Sequence, residues 1–438
     1  MVKGEGRVNV WTLRVFILVI SLAVVATSAG PADAQVPVTL QAAVSSALSQ
    51  HPSVAVAQQA LAVAQANLAE ARAGRNIQFA LSAGTSYGNA STTTPGGAGI
   101  TSSSVAVSAS LELLNLQARY QIRQAEAAVS SAEASLAQAR QSAALAAAQA
   151  YFSVLRAQAV VATRQAAVAQ AEAQVRQAEA QVRAGIAARA DVLQAQAARA
   201  AAQVDLIAAR NQVETSFTGL RASMGLRLTD SVSVAAPAAP PVLAQSREQA
   251  LAGASDRPEV VKAHADVAAA QAGLALAEVQ AGPLLAVTTS SSYDVWKDPA
   301  STPNDVVWSI GATVTYSLFD GGLARAALAA ARANLANAQA KETLALQTAQ
   351  VDALTAWVSL QDAMARVDAT RASEAAATEA LRAAEGRYRA GAGTIVEVLT
   401  ARTALQSASL SRIQAEFDVQ SAVLQLRYSI GRPVVGGN

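Results

Sequence analysis

From Trp308 to Leu318 the chain alternates in character at every residue. Trp308, Ile310, Ala312, Val314, Tyr316 and Leu318 are interleaved with Ser309, Gly311, Thr313, Thr315 and Ser317. A period of two predicts a β-strand with one apolar face and one small, polar face. A weaker version occurs earlier, with Val105, Val107, Ala109, Leu111 and Leu113 set against Ala106, Ser108, Ser110 and Glu112. Partner strands are predicted near Phe79–Tyr87 and Leu284–Tyr293, across the polar loops Gly88–Ser104 and Asp294–Asp305. Segments of this kind suit a transmembrane β-barrel, and they also suit a half-buried soluble hairpin. Tyr293, Trp296, Trp308 and Tyr316 fall near the strand ends, where aromatic rings anchor at a lipid interface. Four strands do not close a barrel, since the smallest membrane barrels use about eight. Strands lodged in a membrane would therefore force this chain to oligomerise.

Elsewhere the period is helical. Val154, Val161, Val168, Val175 and Val182 recur every seven residues, and Ala157, Ala171 and Ala178 lie three positions after three of them. This is a coiled-coil seam with a small residue in its second layer, which lets helices approach closely. A helix from about Leu114 to Arg183 would reach ~105 Å at about 1.5 Å per residue, far longer than a compact globule needs. Its partner runs from about Ala190 to Met224 and closes at Gly225. The later seam reads Leu360, Val367, Glu374, Leu381 and Tyr388, with Glu374 as the break.

These patterns occur twice. "VRAGIAARADVLQA" (182–195) and "YRAGAGTIVEVLTA" (388–401) share one offset, the 206 residues from Val182 to Tyr388. At that offset His51-Pro52 matches Arg257-Pro258, Tyr151 matches Trp357, Asp191 matches Glu397 and Gly225 matches Gly431. Tandem copies of one unit account for this. The expected organisation is residues 35–226 as the first repeat, a Pro/Ala-rich linker at 227–245, a second repeat at 246–432 and a tail at 433–438. Each unit is expected to open with a helix that has Pro52 or Pro258 in its first turn, and the paired loops around Gly185 and Gly391 make hairpin tips.

Composition supports the rods: 52% of residues are hydrophobic but only 4% are aromatic, and much of the remainder is alanine. At the N-terminus, Lys3, Arg7 and Arg14 precede an apolar run from Val15 to Ala26, and Ala32-Asp33-Ala34 offers a cleavage site. Residues 1–34 therefore read as a secretory signal, too short in its apolar run to span a membrane. No further long apolar run follows, so no transmembrane helix is expected. The net charge is +2, and no basic patch interleaved with aromatics points to a nucleic-acid partner. The chain has no cysteine, which excludes a disulfide framework. No nucleophile–base constellation, phosphate-cradling loop or metal-ligand spacing appears, so neither an enzyme nor a cofactor is expected. The two histidines, His51 and His264, sit in the first helices of opposite units without evident partners.

With "SLFDGGLAR" (317–325), "RYRAGAGTIVEVLTA" (387–401), "RPEV" (257–260) and the doubled layout, nearly all of the sequence after the signal resembles the TolC family of outer-membrane efflux proteins. The resemblance implies a mainly α fold with a membrane β-barrel, in which tandem helix–β-hairpin–helix repeats trimerise. The trimer has twelve strands in outer-membrane lipid and a long periplasmic coiled-coil tunnel. It also implies a periplasmic adaptor and an inner-membrane pump, of the RND or ABC type, as partners, and passive export of small molecules such as drugs. A type I protein secretion duct is the alternative within the class, and a periplasmic coiled-coil adaptor or scaffold the alternative outside it. Phe319, Asp320, Gly321 and Gly322 fit a sharp strand-to-helix turn, with Asn115 the substitute in the first repeat. By position in the family, Ala184, Gly185, Ile186, Ala390, Gly391 and Ala392 form adaptor-docking tips, and Asp191, Tyr388 and Glu397 the periplasmic gate. A Tyr388–Asp191 hydrogen bond would act as a latch and Glu397 as an acidic ring. Glu397 reads equally as the partner of Thr394 in a helix capping box, and Asp191 as a first-turn acid favoured by the helix dipole. Gly393 and Thr400 stand where relatives carry latch and acidic residues, which implies a weaker gate.

Overall fold

The computed structural model describes residues 38–76, 78–89, 99–114, 116–235, 245–280, 282–296 and 306–434. The secretory signal and Asn115 lie outside them. The first repeat comprises α1 (Leu40–Gln50), α2 (Pro52–Ala73), β1 (Gln78–Asn89), β2 (Gly99–Leu114), α3 (Leu116–Arg183) and α4 (Arg189–Ser223). The second comprises α5 (Arg247–Gly253), a 3-10 turn (Ala254–Asp256), α6 (Pro258–Gln280), β3 (Leu284–Trp296), β4 (Val306–Thr315), α7 (Leu323–Arg389) and α8 (Ile395–Ser429).

Two expectations need correcting. Pro52 and Pro258 do start helices, but α1 and α5 precede them, because Thr39 and Ser246 each cap a short amphipathic turn first. Thus His51 and His264 belong to the second helices rather than the first. The predicted strands are also shifted. β1 and β3 run further than expected, to Asn89 and Trp296, and β2 starts at Gly99. β4 ends at Thr315, so Tyr316 and Leu318 leave the ladder.

α3 is the spine, and α1, α2, α4, α6 and α8 all pack on it. Its interior face is made of small residues: Ala143, Ala144, Ala147, Ala148, Ala157 and Ala178 are buried. Truncated side chains allow the helix backbones to come close, and alanine carries the highest helix propensity. A buried methyl contributes only ~0.8 kcal/mol, so the rod depends on many small contacts rather than a few large ones. Part of α3 is in fact apolar enough to pass for a membrane span by composition. Within the same helix, Tyr151, Phe152 and Val154 pack in the core against Leu220, Met224 and Leu424. Where Glu374 breaks the α7 seam, Arg412 of α8 meets it as an ion pair.

Matched residues of the two repeats do matched work. Leu220, Met224 and Val154 occupy the first core, and Leu426, Ile430 and Leu360 their places in the second. The hydroxyl of Tyr151 donates to the carbonyl of Ala235, and the indole nitrogen of Trp357 donates to that of Gln245 at 3.0 Å. The paired aromatic positions thus hold the two ends of the segment that joins the repeats. Val38 supports the first end, donating to Ser233 at 2.8 Å and accepting from Ala235.

The strands form one antiparallel sheet in the order β1-β2-β3-β4, so the repeats are joined through β2 and β3. Register places Leu81, Val107, Ser291 and Trp308 in one row, and Phe79, Ala109, Thr289 and Ile310 in the next row of the same parity. A row of the opposite parity reads Ala80, Ser108, Ser290 and Ser309. Phe79, Leu81, Trp308, Ile310 and Val314 are each about two-thirds exposed or more, so the chain itself does not cover them.

Each repeat ends at a left-handed glycine, Gly225 (φ 74°) and Gly431 (φ 71°). A β-carbon on Gly225 would lie 2.6 Å from the carbonyl of Gln50, whereas one on Gly431 would lie 3.2 Å from that of Asp256. Left-handed strain costs a non-glycine residue on the order of 1–3 kcal/mol at either site, and the backbone clash adds to it at the first. Gly225→Ala is therefore expected to lower the thermal unfolding midpoint more than Gly431→Ala. Equal shifts would refute the closer packing of the first repeat.

Candidate functional site

The two long hairpins end side by side. At the first tip α3 terminates in a Schellman arrangement: Gly185 (φ 74°) donates to the carbonyl of Val182 at 3.0 Å, and Ile186 to that of Gln181 at 2.9 Å. The second tip repeats it, with Gly391 (φ 71°) donating to Tyr388 and Ala392 to Arg387. Only a residue that tolerates positive φ closes a helix in this way. Ala184, Gly185, Ile186, Ala390, Gly391 and Ala392 are all open to solvent, fully or in part. Behind the tips an apolar cluster of Val175, Ala178, Ala195, Leu381, Ala384, Tyr388, Ile395 and Val398 holds the hairpins together.

Between the tips lies a cavity of about 370 Å³, lined by Gln181, Ile186, Asp191 and Gln194 of the first hairpin and by Tyr388, Gly391, Thr394 and Val396 of the second. The structure thus brings Asp191 and Tyr388 to one space. Tyr388 is only 6% exposed, and its hydroxyl has no hydrogen-bond partner. Burial, and then the nearby Asp191 carboxylate, push its pKa up, so the phenol stays neutral. Asp191 and Tyr388, the pair expected to form the latch, thus face each other across the cavity, close enough for the carboxylate to act on the phenol.

Glu397 is placed as a capping residue. The Thr394 hydroxyl accepts from the backbone N–H of Glu397, and the Glu397 carboxylate accepts from the N–H of Thr394. Arg387 adds an ion pair at 3.0 Å. The backbone N–H of Thr394, then Arg387 and the Thr394 hydroxyl, hold this carboxyl below the usual glutamate range. Gly393 sits tightly against α7, since a β-carbon there would lie 3.0 Å from that of Arg387. Asp191 is in the first turn of α4, whose N-cap residue, Ala188, offers no side-chain cap.

At the opposite end of α7, Gly321 (φ 66°) and Gly322 (φ 92°) make two consecutive left-handed steps. The Asp320 carboxylate then accepts from Gly322 at 2.8 Å and Ala324 at 2.7 Å, capping the helix. Phe319 is 90% exposed. Trp308 and Tyr316 are exposed on and just beyond β4, and Tyr293 and Trp296 belong to β3. The histidines have neighbours that were not foreseen: His51 meets Ser53 at 2.7 Å, and His264 meets Glu342 of α7 at 2.9 Å. Sequence reasoning also missed Arg387, which meets Glu397 across the turn, and Arg402. Setting the repeats side by side would have exposed Arg402, because the first repeat has the uncharged Gln196 there.

Residues 43–226 and 249–432 each match the model of a family described as outer membrane efflux protein. The chain belongs to that family. The two matched segments stand at the same offset as Gly185 and Gly391. Comparison with the curated proteins finds no match. Among solved structures the fold is similar to that of the outer-membrane protein VceC of Vibrio cholerae, with a TM-score of 0.79, 22% identity, and coverage of 90% of this chain and 97% of that one. The open-state MtrE outer-membrane channel of Neisseria gonorrhoeae gives 0.76 and 22%, covering 90% and 89%. The Campylobacter jejuni CmeC outer-membrane channel gives 0.78 and 18%, covering 90% and 85%. Family and fold agree: this is an outer-membrane efflux protein, and not an enzyme.

The lowered pKa of Glu397 fixes a sign. A carboxyl depressed in the folded state contributes stability that is present above its unfolded pKa and lost as pH falls through the folded value. Amide hydrogen exchange at residues 394–398, taken relative to the intrinsic rate at each pH, is expected to speed up once pH drops below the glutamate range, and Glu397→Gln should remove that pH dependence. Exchange at this tip that ignores acidification in the unmodified protein would overturn the capping role.

Proposed function

We propose that the chain forms a homotrimer that serves as the passive exit duct of a tripartite efflux system for small molecules such as drugs. The observation that carries this reading is an open four-stranded sheet on a helical hairpin bundle about 100 Å long. Inside lipid every backbone N–H and C=O needs a partner, and β1 and β4 are the outer strands of the sheet among the described residues. Three copies joined β4 to β1 supply twelve strands and leave no edge. The exposed apolar positions of β1 and β4 would then face outer-membrane lipid.

The helices support the same assembly. On α7, Leu344, Val351 and Val358 are all more than half exposed and lie seven residues apart. On α4, Leu193 and Ile207 are similarly exposed at twice that spacing. Heptad stripes that a chain leaves bare are seams for another helix, and neighbouring copies of the same rods fit them. The duct has no energy source of its own. The six tip positions, five of them alanine or glycine, would receive the helical hairpin of a periplasmic adaptor, which links the duct to an inner-membrane pump of the RND or ABC type.

Asp191 and Tyr388 would form the gate contact between hairpins, with Glu397 holding the shape of the second tip. Opening would proceed by movement of the α7–α8 hairpin relative to α3–α4.

In detergent the purified protein is expected to run as a heat-sensitive oligomer three times the chain mass and to conduct in planar bilayers. Val351→Glu should break the oligomer while keeping helical circular dichroism. A detergent-free monomer, or an intact trimer in the Val351 variant, would defeat the assembly described. Tyr388→Phe combined with Asp191→Ala should raise conductance, and unchanged conductance would remove the gate contact.

A further inference from the structure

Along the distal contact between the two hairpins, buried polar atoms are left without partners. They are Nε2 of Gln174 and Oε1 of Gln181 on α3, the hydroxyl of Tyr388 on α7 and Nε of Arg402 on α8. Native interiors rarely leave such groups unpaired, and each one favours a state in which water reaches it. Gln181 and Tyr388 line the cavity between the tips and Gln174 lines the one beside Arg402, so few direct side-chain bonds join the hairpins at this level.

Arg402 is the side chain placed to join them. It is only 12% exposed and spans three helices. One guanidinium nitrogen donates to the backbone carbonyl of Gln170 on α3 at 3.0 Å, and the other to Glu385 on α7 at 2.8 Å. The carbonyl lies inside a helix, so this anchor cannot swing away as a side-chain acceptor could. A cavity of about 230 Å³ adjoins the arginine, with Gln174 and alanines of α3 and α4 in its walls. In the first repeat the corresponding residue is Gln196, which is uncharged and exposed, so this tie has no counterpart at the matched position.

We propose that Arg402 is the pin that keeps the second hairpin docked on the first, and that its release is the step that lets the tips part. This rests on the reading above that the duct opens by relative movement of the hairpins. A planar guanidinium suits the task, because it forks to two acceptors that a lysine would have to choose between. Arg402 is a positioning residue that acts through the hairpin packing rather than on cargo.

The chain contains no cysteine, so Ile186→Cys and Val396→Cys place one spin label on each tip at exposed positions facing the same cavity. Labelled subunits are diluted into unlabelled full-length protein, and the inter-label distance is measured by pulsed electron resonance. Arg402→Met, which keeps the stem and removes the fork, is expected to lengthen and broaden the distance by ~2 Å or more, the scale of helix shifts in switching proteins, and to raise conductance. Arg402→Lys should move both readouts the same way by less, and it carries the test if the methionine variant does not assemble. A lower unfolding midpoint with unmoved label distances would show plain structural support and overturn the pin. A parent protein that fails to conduct would sink the channel reading alone, while the distances would still report on Arg402.

Discussion

Close approach of helix backbones along α3 is the constraint on which the rest of this molecule depends. Five other helices lie on that one rod, and they reach it because alanine keeps the surface flat. A larger side chain on the inner face of α3 would push its neighbours outward along much of the length. Small side chains carry a cost, since each contributes little burial, and length makes up for it. The same choice explains why aromatics are few and why two of them, Tyr151 and Trp357, fall at the matched positions that bond the joining segment.

The duplication is close in architecture and looser in detail, and the differences lie where the two copies have different tasks. Gly225 and Gly431 end matching helices, yet the first is pressed harder against its neighbour. Asp191 and Glu397 occupy one position in the repeat, but Glu397 is tied into a capping box with Thr394 while Asp191 faces the cavity between the tips. Where the first copy has an exposed glutamine, Gln196, the second has Arg402, which crosses to the other hairpin. Side chains of both hairpins reach across, Arg402 of α8 to Gln170 and Arg156 of α3 to Gln414.

Much of this was legible in the sequence because it is periodic. Heptad valines marked α3, alternation marked β4, and a constant offset tied Gly185 to Gly391. The element ends were harder to read. Tyr316 continues the alternation of β4, yet it leaves the ladder because Leu318-Phe319-Asp320 is already turning toward the two left-handed glycines. α1 and α5 went unseen because seven to eleven residues hold too few turns to show a period. The capping box at Thr394 follows from local spacing, whereas its ion pair with Arg387 depends on the path of the tip and has no local signature. Arg402 was hidden for the same reason: its partners lie on other helices, and one of them is a main-chain carbonyl.

The grip of Tyr151 on Ala235 and of Trp357 on Gln245 separates the path of the joining segment from the rest of the molecule. Ala235 and Gln245 are thus each fixed by a side chain of the rods. The entropic cost of a longer bridge grows only with the logarithm of its length. Ala235 and Gln245 are therefore the natural bounds between which to splice a reporter or an affinity handle.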